Sequence, residues 1–242
     1  MIKAILFDCG GVLVYPKAGF WQRAVDRDEI LGGRKPDIDP VKAAAAFKKF
    51  EYILDEGQLI SGLGHEYRLR REFLICMNRE LSAGLCQQEI DALAHSLTYN
   101  DARYQLYEDS LAGVRRLKGK YRIGFVSNAM PSMVRAITNQ GLADGLDCFT
   151  VSCLIGCQKP DERIYLTALE EMGIGAEECV FVEDLKANLE AAAHLGMYVV
   201  RMKRPFYYAV PVPDFAWDGA TVHDLTQLEE LLESGAFGPC GA

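Results

Sequence analysis

Four stretches of this sequence place reactive side chains where a run of apolar residues stops. The run from Ile2 to Phe7 ends at Asp8, with Cys9, Gly10 and Gly11 directly behind it. The run from Tyr121 to Val126 ends at Ser127 and Asn128. A third run starts at Cys148 and leads into Gln158-Lys159-Pro160-Asp161, and a fourth, from Cys179 to Val182, ends at Glu183-Asp184. An ionised group at the tip of a buried strand is costly unless something uses it. Together the four ends supply a carboxylate able to act as a nucleophile, a hydroxyl, an ammonium and an acidic pair. Carboxylates with few neutral ligands suit a hard cation such as Mg2+. An ammonium and a hydroxyl suit a phosphoryl group. Singly, each has a plainer reading: Ser127 as a cap, Lys159 as a solvated charge, Glu183-Asp184 as a surface pair. In order on successive strands, they point to one site.

The elements that must position them alternate. From about residue 107 the pattern reads helix 110–118, strand 121–127, helix 132–140, strand 148–152, helix 163–172, strand 179–182, helix 187–195, strand 198–202, a short edge strand at 221–222 and helix 224–233. Such alternation predicts an α/β fold, a Rossmann-like parallel sheet with helices on both faces. Ligands bind such sheets at the carboxyl ends of the strands. Residues 14–19 read as a crossing out of the core. From there to about 104 no strand is evident, and helical patterns cover 43–54, 65–80 and 87–97. In the helix at 65–80, Tyr67, Leu69, Phe73, Leu74 and Met77 are available for one buried side. The reading is therefore an α/β core of residues 1–15 and 105–242, interrupted by an all-helical insert over 16–104. The Gly-rich tail, 234–242, reads as frayed.

Half of the 242 residues are hydrophobic, enough for a sizeable core. The net charge of -8 argues against a nucleic-acid backbone binder, which would carry a basic face. The amino terminus is strand-like, without a signal-peptide pattern, and no apolar run is long enough to span a membrane, so a cytoplasmic protein with no membrane partner is expected. The eight cysteines do not form a disulfide framework in a chain of this length. Cys148, Cys153 and Cys157 lie close together, but no C-x-x-C pair supports zinc, and buried reduced thiols are expected.

The chain resembles the haloacid dehalogenase-like hydrolases. The residues that carry the likeness are Phe7-Asp8-Cys9-Gly10-Gly11-Val12-Leu13, then Gly124-Phe125-Val126-Ser127-Asn128, then Lys159-Pro160-Asp161-Glu162-Arg163-Ile164-Tyr165, then Val180-Phe181-Val182-Glu183-Asp184 with Asn188. By position, the helical insert is similar to that family's small helical cap. The resemblance implies that Asp8 attacks phosphorus and forms an aspartyl-phosphate. It implies Mg2+ held by Asp8, Asp184 and the Gly10 carbonyl, with Glu183 nearby, directly or through water. Ser127 and the Asn128 backbone would hydrogen-bond the phosphoryl oxygens, and Lys159 would neutralise charge on Asp8 and on the phosphoryl group.

One position departs from the family's phosphatases. They usually carry Asp two residues after the nucleophile, to protonate the leaving oxygen; this chain has Gly10. General acid help is worth roughly 10²–10⁴-fold. Three readings follow. One is a phosphatase of a small, sugar-phosphate-like monoester, with its proton supplied by water, substrate or a cap residue. Another is a regulatory or binding protein on a silenced hydrolase frame. The third is a 2-haloacid dehalogenase, whose halide leaves without a proton; the acidic pair Glu183-Asp184 speaks against it. His65 and His95 are the cap histidines that could replace the acid, but a solvated helix histidine is the plainer reading of each. Arg68, Arg70, Arg71 and Arg79 form a basic stretch that could meet an anionic substrate; the plainer reading is a solvated helix face paired with Glu66, Glu72 and Glu80. The aromatic run Phe206-Tyr207-Tyr208, after Pro205 and before Pro211 and Pro213, reads either as packing on a second copy, giving a homodimer, or as flanking the cleft. The expected partner is a small phosphorylated metabolite.

Overall fold

The structure, a computed structural model, describes residues 1–205 and 214–235. Residues 206–208, 211 and 213 of the aromatic loop, and the tail from 236, lie outside the described residues.

The strands are β1 (Ala4–Phe7), β2 (Val14–Pro16), β3 (Tyr104–Leu106), β4 (Arg122–Ser127), β5 (Cys148–Val151), β6 (Cys179–Glu183), β7 (Tyr198–Met202) and β8 (Thr221–Val222). The helices are α1 (Arg27–Ile30), α2 (Pro40–Phe50), α3 (Leu63–Leu81), α4 (Gln87–Tyr99), α5 (Ser110–Lys118), α6 (Pro131–Asn139), α7 (Ser152–Ile155), α8 (Glu162–Met172), α9 (Lys186–His194) and α10 (Leu225–Glu233).

Six strands form one parallel sheet in the order β5-β4-β1-β6-β7-β8. The chain runs outward from β1 to β4 and β5, then returns to β6 on the other side. That reversal opens a crevice at the carboxyl ends of β1 and β6, the place where doubly wound folds bind ligands. β1 is buried on both faces, as a central parallel strand must be. Ile5 and Phe7 pack with Ile123, Phe125, Val180 and Val182 on one face. Ala4 and Leu6 pack with Ile164, Tyr165 and Phe181 on the other. Along the sheet, Phe7 pairs with both Phe125 and Val182, so Asp8, Ser127 and Glu183 emerge side by side at one edge.

Helices α1 to α4 lie between β2 and β3, and these two strands differ from the reading of residues 14–19 as a simple crossing. They pair antiparallel, Val14 opposite Leu106 and Pro16 opposite Tyr104, and so close the neck where the chain leaves the core and returns. Strands of three residues, one of them ending in a proline, leave almost no periodic trace. The helix predicted over 43–54 is α2 followed by a 3-10 turn, Glu51–Leu54. α3 also differs. Its fully buried positions are Glu66, Arg70 and Phe73, so the stripe facing inward carries an ion pair as well as a ring. Leu69 and Met77 pack partly against the main core, and Leu74 against a smaller cluster with Leu93 and Leu97.

Candidate functional site

The sheet register brings the predicted residues to one edge, and Lys159 ties them together. Its Nζ lies 2.7 Å from Asp8 Oδ1 and 2.7 Å from Glu183 Oε2. All three side chains are buried. The lysine is set by Asn128, whose Oδ1 accepts from Lys159 N at 2.8 Å while its Nδ2 donates to Lys159 O at 3.0 Å. Asn128 thus positions the lysine through its side chain. Glu183 uses both oxygens: Oε2 also accepts from Asn188 Nδ2, and Oε1 accepts from the backbone amides of Asp184 and Leu185. Ser127, at the end of β4, is buried, and among the described residues its Oγ has no nitrogen or oxygen partner, only the Cys9 thiol beside it.

The charges are strongly perturbed. Burial pushes the Asp8 carboxyl up to about 6, with Lys159 pulling it down and Glu183 adding repulsion. Burial also opposes the Lys159 ammonium, yet Asp8 and Glu183 hold it above its ordinary range. For Glu183, burial is outweighed by Lys159 and the donated hydrogen bonds, and its carboxyl lies below its usual range. Asp184 sits well above the carboxylate range: burial raises it, and Glu183 and Asp8 add like-charge repulsion. Ligand oxygens of Asp8, Glu183 and Asp184 lie within 4.8 Å of one another, the one such acidic cluster among the described residues. A group of carboxylates under this repulsion fits a hard divalent cation.

Behind Asp8 the chain curls tightly. Gly11 takes a left-handed conformation, φ 80°, and the amides of Leu13 and Val14 both donate to Cys9 O at 2.9 Å. The turn presents Gly10 to a cavity of about 870 Å³, lined from the sheet edge by Asp8, Gly10, Asn128, Lys159 and Asp184. The opposite wall is built from the helical segment and the neck: Trp21, Gln22, Phe47, Glu56, Arg70, Arg103 and Tyr104.

Sequence comparison places this geometry in a family. The model of the haloacid dehalogenase-like hydrolases matches residues 2–196. This chain is a haloacid dehalogenase-like hydrolase. It is 34% identical over 201 residues to the GMP/IMP nucleotidase YrfG of Escherichia coli, covering 81% of this chain and 80% of that protein. Phosphatase MT3486 of Mycobacterium tuberculosis is 29% identical over 239 residues, covering 96% and 97%. Other relatives match over a short stretch: mouse Acyl-CoA dehydrogenase family member 10 is 39% identical over 59 residues, 24% of this chain but 6% of that much longer protein. Among solved structures, the L-2-haloacid dehalogenase PA0810 superposes with a TM-score of 0.69 at 22% identity, covering 96% and 100%, a likeness of fold.

Within this hydrolase, several expectations about the helical side need correction. His65 and His95 do not line the cavity. His65 Nδ1 accepts from Ser61 N, and His95 is exposed, its ring 4.7 Å from that of Tyr99. Arg70 is not on a solvated face. It is buried, its Nε 2.7 Å from Glu66 Oε1 and its Nη1 2.9 Å from Gln22 Oε1. Arg71 pairs with Asp91 of α4 rather than with a neighbour on its own helix. Gly10 lacks a positive φ, so its turn is not what excludes a side chain. A Cβ there would stand 3.3 Å from the Trp21 indole, so the tryptophan fills the space into which a longer side chain would grow.

The residues that sequence reasoning missed form a buried network. Glu66 Oε2 accepts from Ser132 N at 2.7 Å and Oε1 from Ser132 Oγ at 2.6 Å, capping the first turn of core helix α6. Ser132 Oγ also meets Tyr104 Oη at 2.7 Å, and Arg103 Nη1 donates to Tyr104 Oη at 2.8 Å. Arg103 donates in addition to the Leu97 and Trp21 carbonyls. The network therefore joins α3, the neck and α6, and it fixes the backbone of Trp21 beside Gly10. The sequence signal for it was thin: Glu66 and Arg70 at i, i+4 look like any helix surface pair.

Proposed function

We propose that this hydrolase cleaves a small phosphomonoester through a phosphoryl group carried on Asp8. The observation that carries the reading is the Lys159 ammonium, buried and shared between Asp8 and Glu183, at the floor of a cavity that also holds Asp184. A dianionic ester is repelled by a bare carboxylate. A buried cation in contact with that carboxylate reverses the local field, and its effect is large where water is excluded.

Asp8, Asp184 and the carbonyl of Gly10 are the groups proposed to hold Mg2+, and the raised Asp184 carboxyl fits a site made for a cation. When bound, the ion supplies charge neutralisation for the transferring phosphoryl group. Glu183, with both oxygens engaged, positions Lys159 and the amides of residues 184 and 185. Ser127 Oγ and the Asn128 amide are the donors proposed for the phosphoryl oxygens; the buried Ser127 hydroxyl, with no nitrogen or oxygen partner among the described residues, supports this, since a buried hydroxyl left so is costly. Asp8 then displaces the alcohol from phosphorus, and water releases phosphate from the aspartyl-phosphate. The cavity volume is in the range of small-molecule sites. The relatives named as phosphatase and nucleotidase support the same class.

A phosphate-release screen over nucleoside monophosphates, sugar phosphates and p-nitrophenyl phosphate, with Mg2+ or with chelator, tests this. Mg2+-dependent release that disappears in Asp8→Asn is expected. Halide release from 2-haloacids without phosphate release from any ester would overturn it. So would Mg2+-dependent ligand binding without turnover.

A further inference from the structure

We propose that Glu56, which lines the cavity together with Asp8, is the general acid that position 10 lacks. The inference rests on the phosphomonoester reading above. Its first support is the vacancy in function at Gly10: no side chain is present there, and the Trp21 indole holds the adjoining space.

The second support is how Glu56 is held. It follows the 3-10 turn Glu51–Leu54 on a loop shaped by one internal hydrogen bond and held to the core at two points. Gly57 N donates to Asp55 Oδ1 at 2.9 Å, which shapes the turn. A Cβ at Gly57 would come within 3.2 Å of the Gln158 side chain, so this loop rests on the one that carries Lys159. Ile60 N donates to Cys153 O at 2.9 Å, just beyond β5. The loop thus rests on the one that carries Lys159, and Glu56 lines the same cavity as Asp8 and Lys159.

The third support is that the Glu56 carboxyl is uncommitted. Asp8 and Glu183 share Lys159, and Glu66 holds Arg70 and Ser132. Among the described residues, Glu56 has no hydrogen-bond or ion-pair partner. The charged groups around it are Arg70 and Glu66 of α3, Asp8 beyond β1, Lys159, and Arg103 at the neck; the Cys153 thiol is also near. Burial raises its carboxyl to about 7, with Asp8 and Glu66 adding repulsion, while Arg70 and Lys159 pull it down. A proton held near neutral pH is what a general acid requires.

In the first half-reaction an Asp8 carboxylate oxygen bonds to phosphorus as the ester P–O bond breaks. The electron pair of that bond goes to the leaving oxygen, which takes the Glu56 proton and departs as the alcohol. In the second, the Glu56 carboxylate accepts a proton from water as the water oxygen bonds to phosphorus. The bond between phosphorus and Asp8 breaks, and the Asp8 carboxylate and inorganic phosphate are released.

The test compares wild type with Glu56→Gln on p-nitrophenyl phosphate, whose leaving group needs no proton, and on GMP, glucose 6-phosphate and glycerol 3-phosphate, whose alkoxides do. The quantity read is kcat/KM, which ends at phosphoenzyme formation. The ratio of aryl to alkyl kcat/KM should rise by about 10²-fold in Glu56→Gln. The limb of the wild-type alkyl profile that falls above about pH 7 should vanish in the variant. Glu56→Asp should recover part of the alkyl activity. A folded Glu56→Gln with an unchanged ratio, whether both rates fall together or neither falls, would overturn the assignment and leave the phosphatase reading intact. A wild type that releases phosphate from none of the four esters would overturn the reading itself, and this inference with it.

Discussion

The two walls of the cavity are built in different ways. On the sheet side, Asp8, Ser127 and Glu183 end three neighbouring strands, and backbone pairing fixes their spacing. Their charges cluster around one lysine. On the helical side, Glu66 and Arg70 come from one helix, Arg103 and Tyr104 from the neck, and Glu56 from a loop. A chain of side-chain hydrogen bonds through Ser132 sets the spacing of the first four, and Glu56 stands outside that chain. The sheet wall is a rigid frame for charge. The helical wall is only as ordered as its polar network, so the two should break differently.

Lys159→Met should show the largest effect. It leaves Asp8 and Glu183 buried without their shared cation, and removing one partner of a buried ion pair costs roughly 3–5 kcal/mol. Chemical denaturation should show that loss together with loss of turnover; a near-neutral variant would mean that the sheet wall does not depend on this contact. Mg2+ at about 100 times its Kd should stabilise wild type by about 2.7 kcal/mol and Asp184→Asn hardly at all. The metal-free Asp184→Asn should melt no lower than metal-free wild type, because it removes a repelled carboxyl. Equal stabilisation of both proteins by Mg2+ would place the ion elsewhere.

On the helical wall, Glu66→Gln should cost about 1–3 kcal/mol, the penalty of leaving Arg70 short of its buried acceptor. Activity should suffer more than the melt, because Trp21 and Arg70 line the cavity. The smallest effect belongs to Glu56. Its folded carboxyl is raised to about 7 from 4.5. Stability from that proton is complete below about pH 4.5 and is lost as pH rises through 7. The melting temperature of Glu56→Gln minus that of wild type should therefore climb from pH 5 to pH 8, by an amount equivalent to about 1–2 kcal/mol. A flat difference would mean that Glu56 is solvated.

What the sequence made legible follows the same division. β1, β4 and β6 are largely apolar runs, and each polar end could be read because a parallel sheet puts such ends on one rim. The parallel α/β core follows from that alternation and the family resemblance from the residues at those ends, whereas the strand order came from the structure. The neck strands β2 and β3 escaped because three residues with Pro16 have no measurable period. Arg70 read as solvated because its spacing from Glu66 is the same on a buried face as on an exposed one; only Ser132, 66 residues away, distinguishes them. Glu56 gave no sign at all. Its place in the cavity lining goes with the packing of Gly57 against Gln158, which no local pattern encodes.

The central claim is that phosphorus is carried on Asp8. Acid quench during turnover of p-nitrophenyl phosphate, followed by peptide mass spectrometry, examines it directly. The account predicts a hydroxylamine-labile phosphoryl group on the peptide that contains Asp8, and none in Asp8→Asn. Steady phosphate release with that peptide unmodified at every quench time, or a phosphoryl group on another residue, would contradict it.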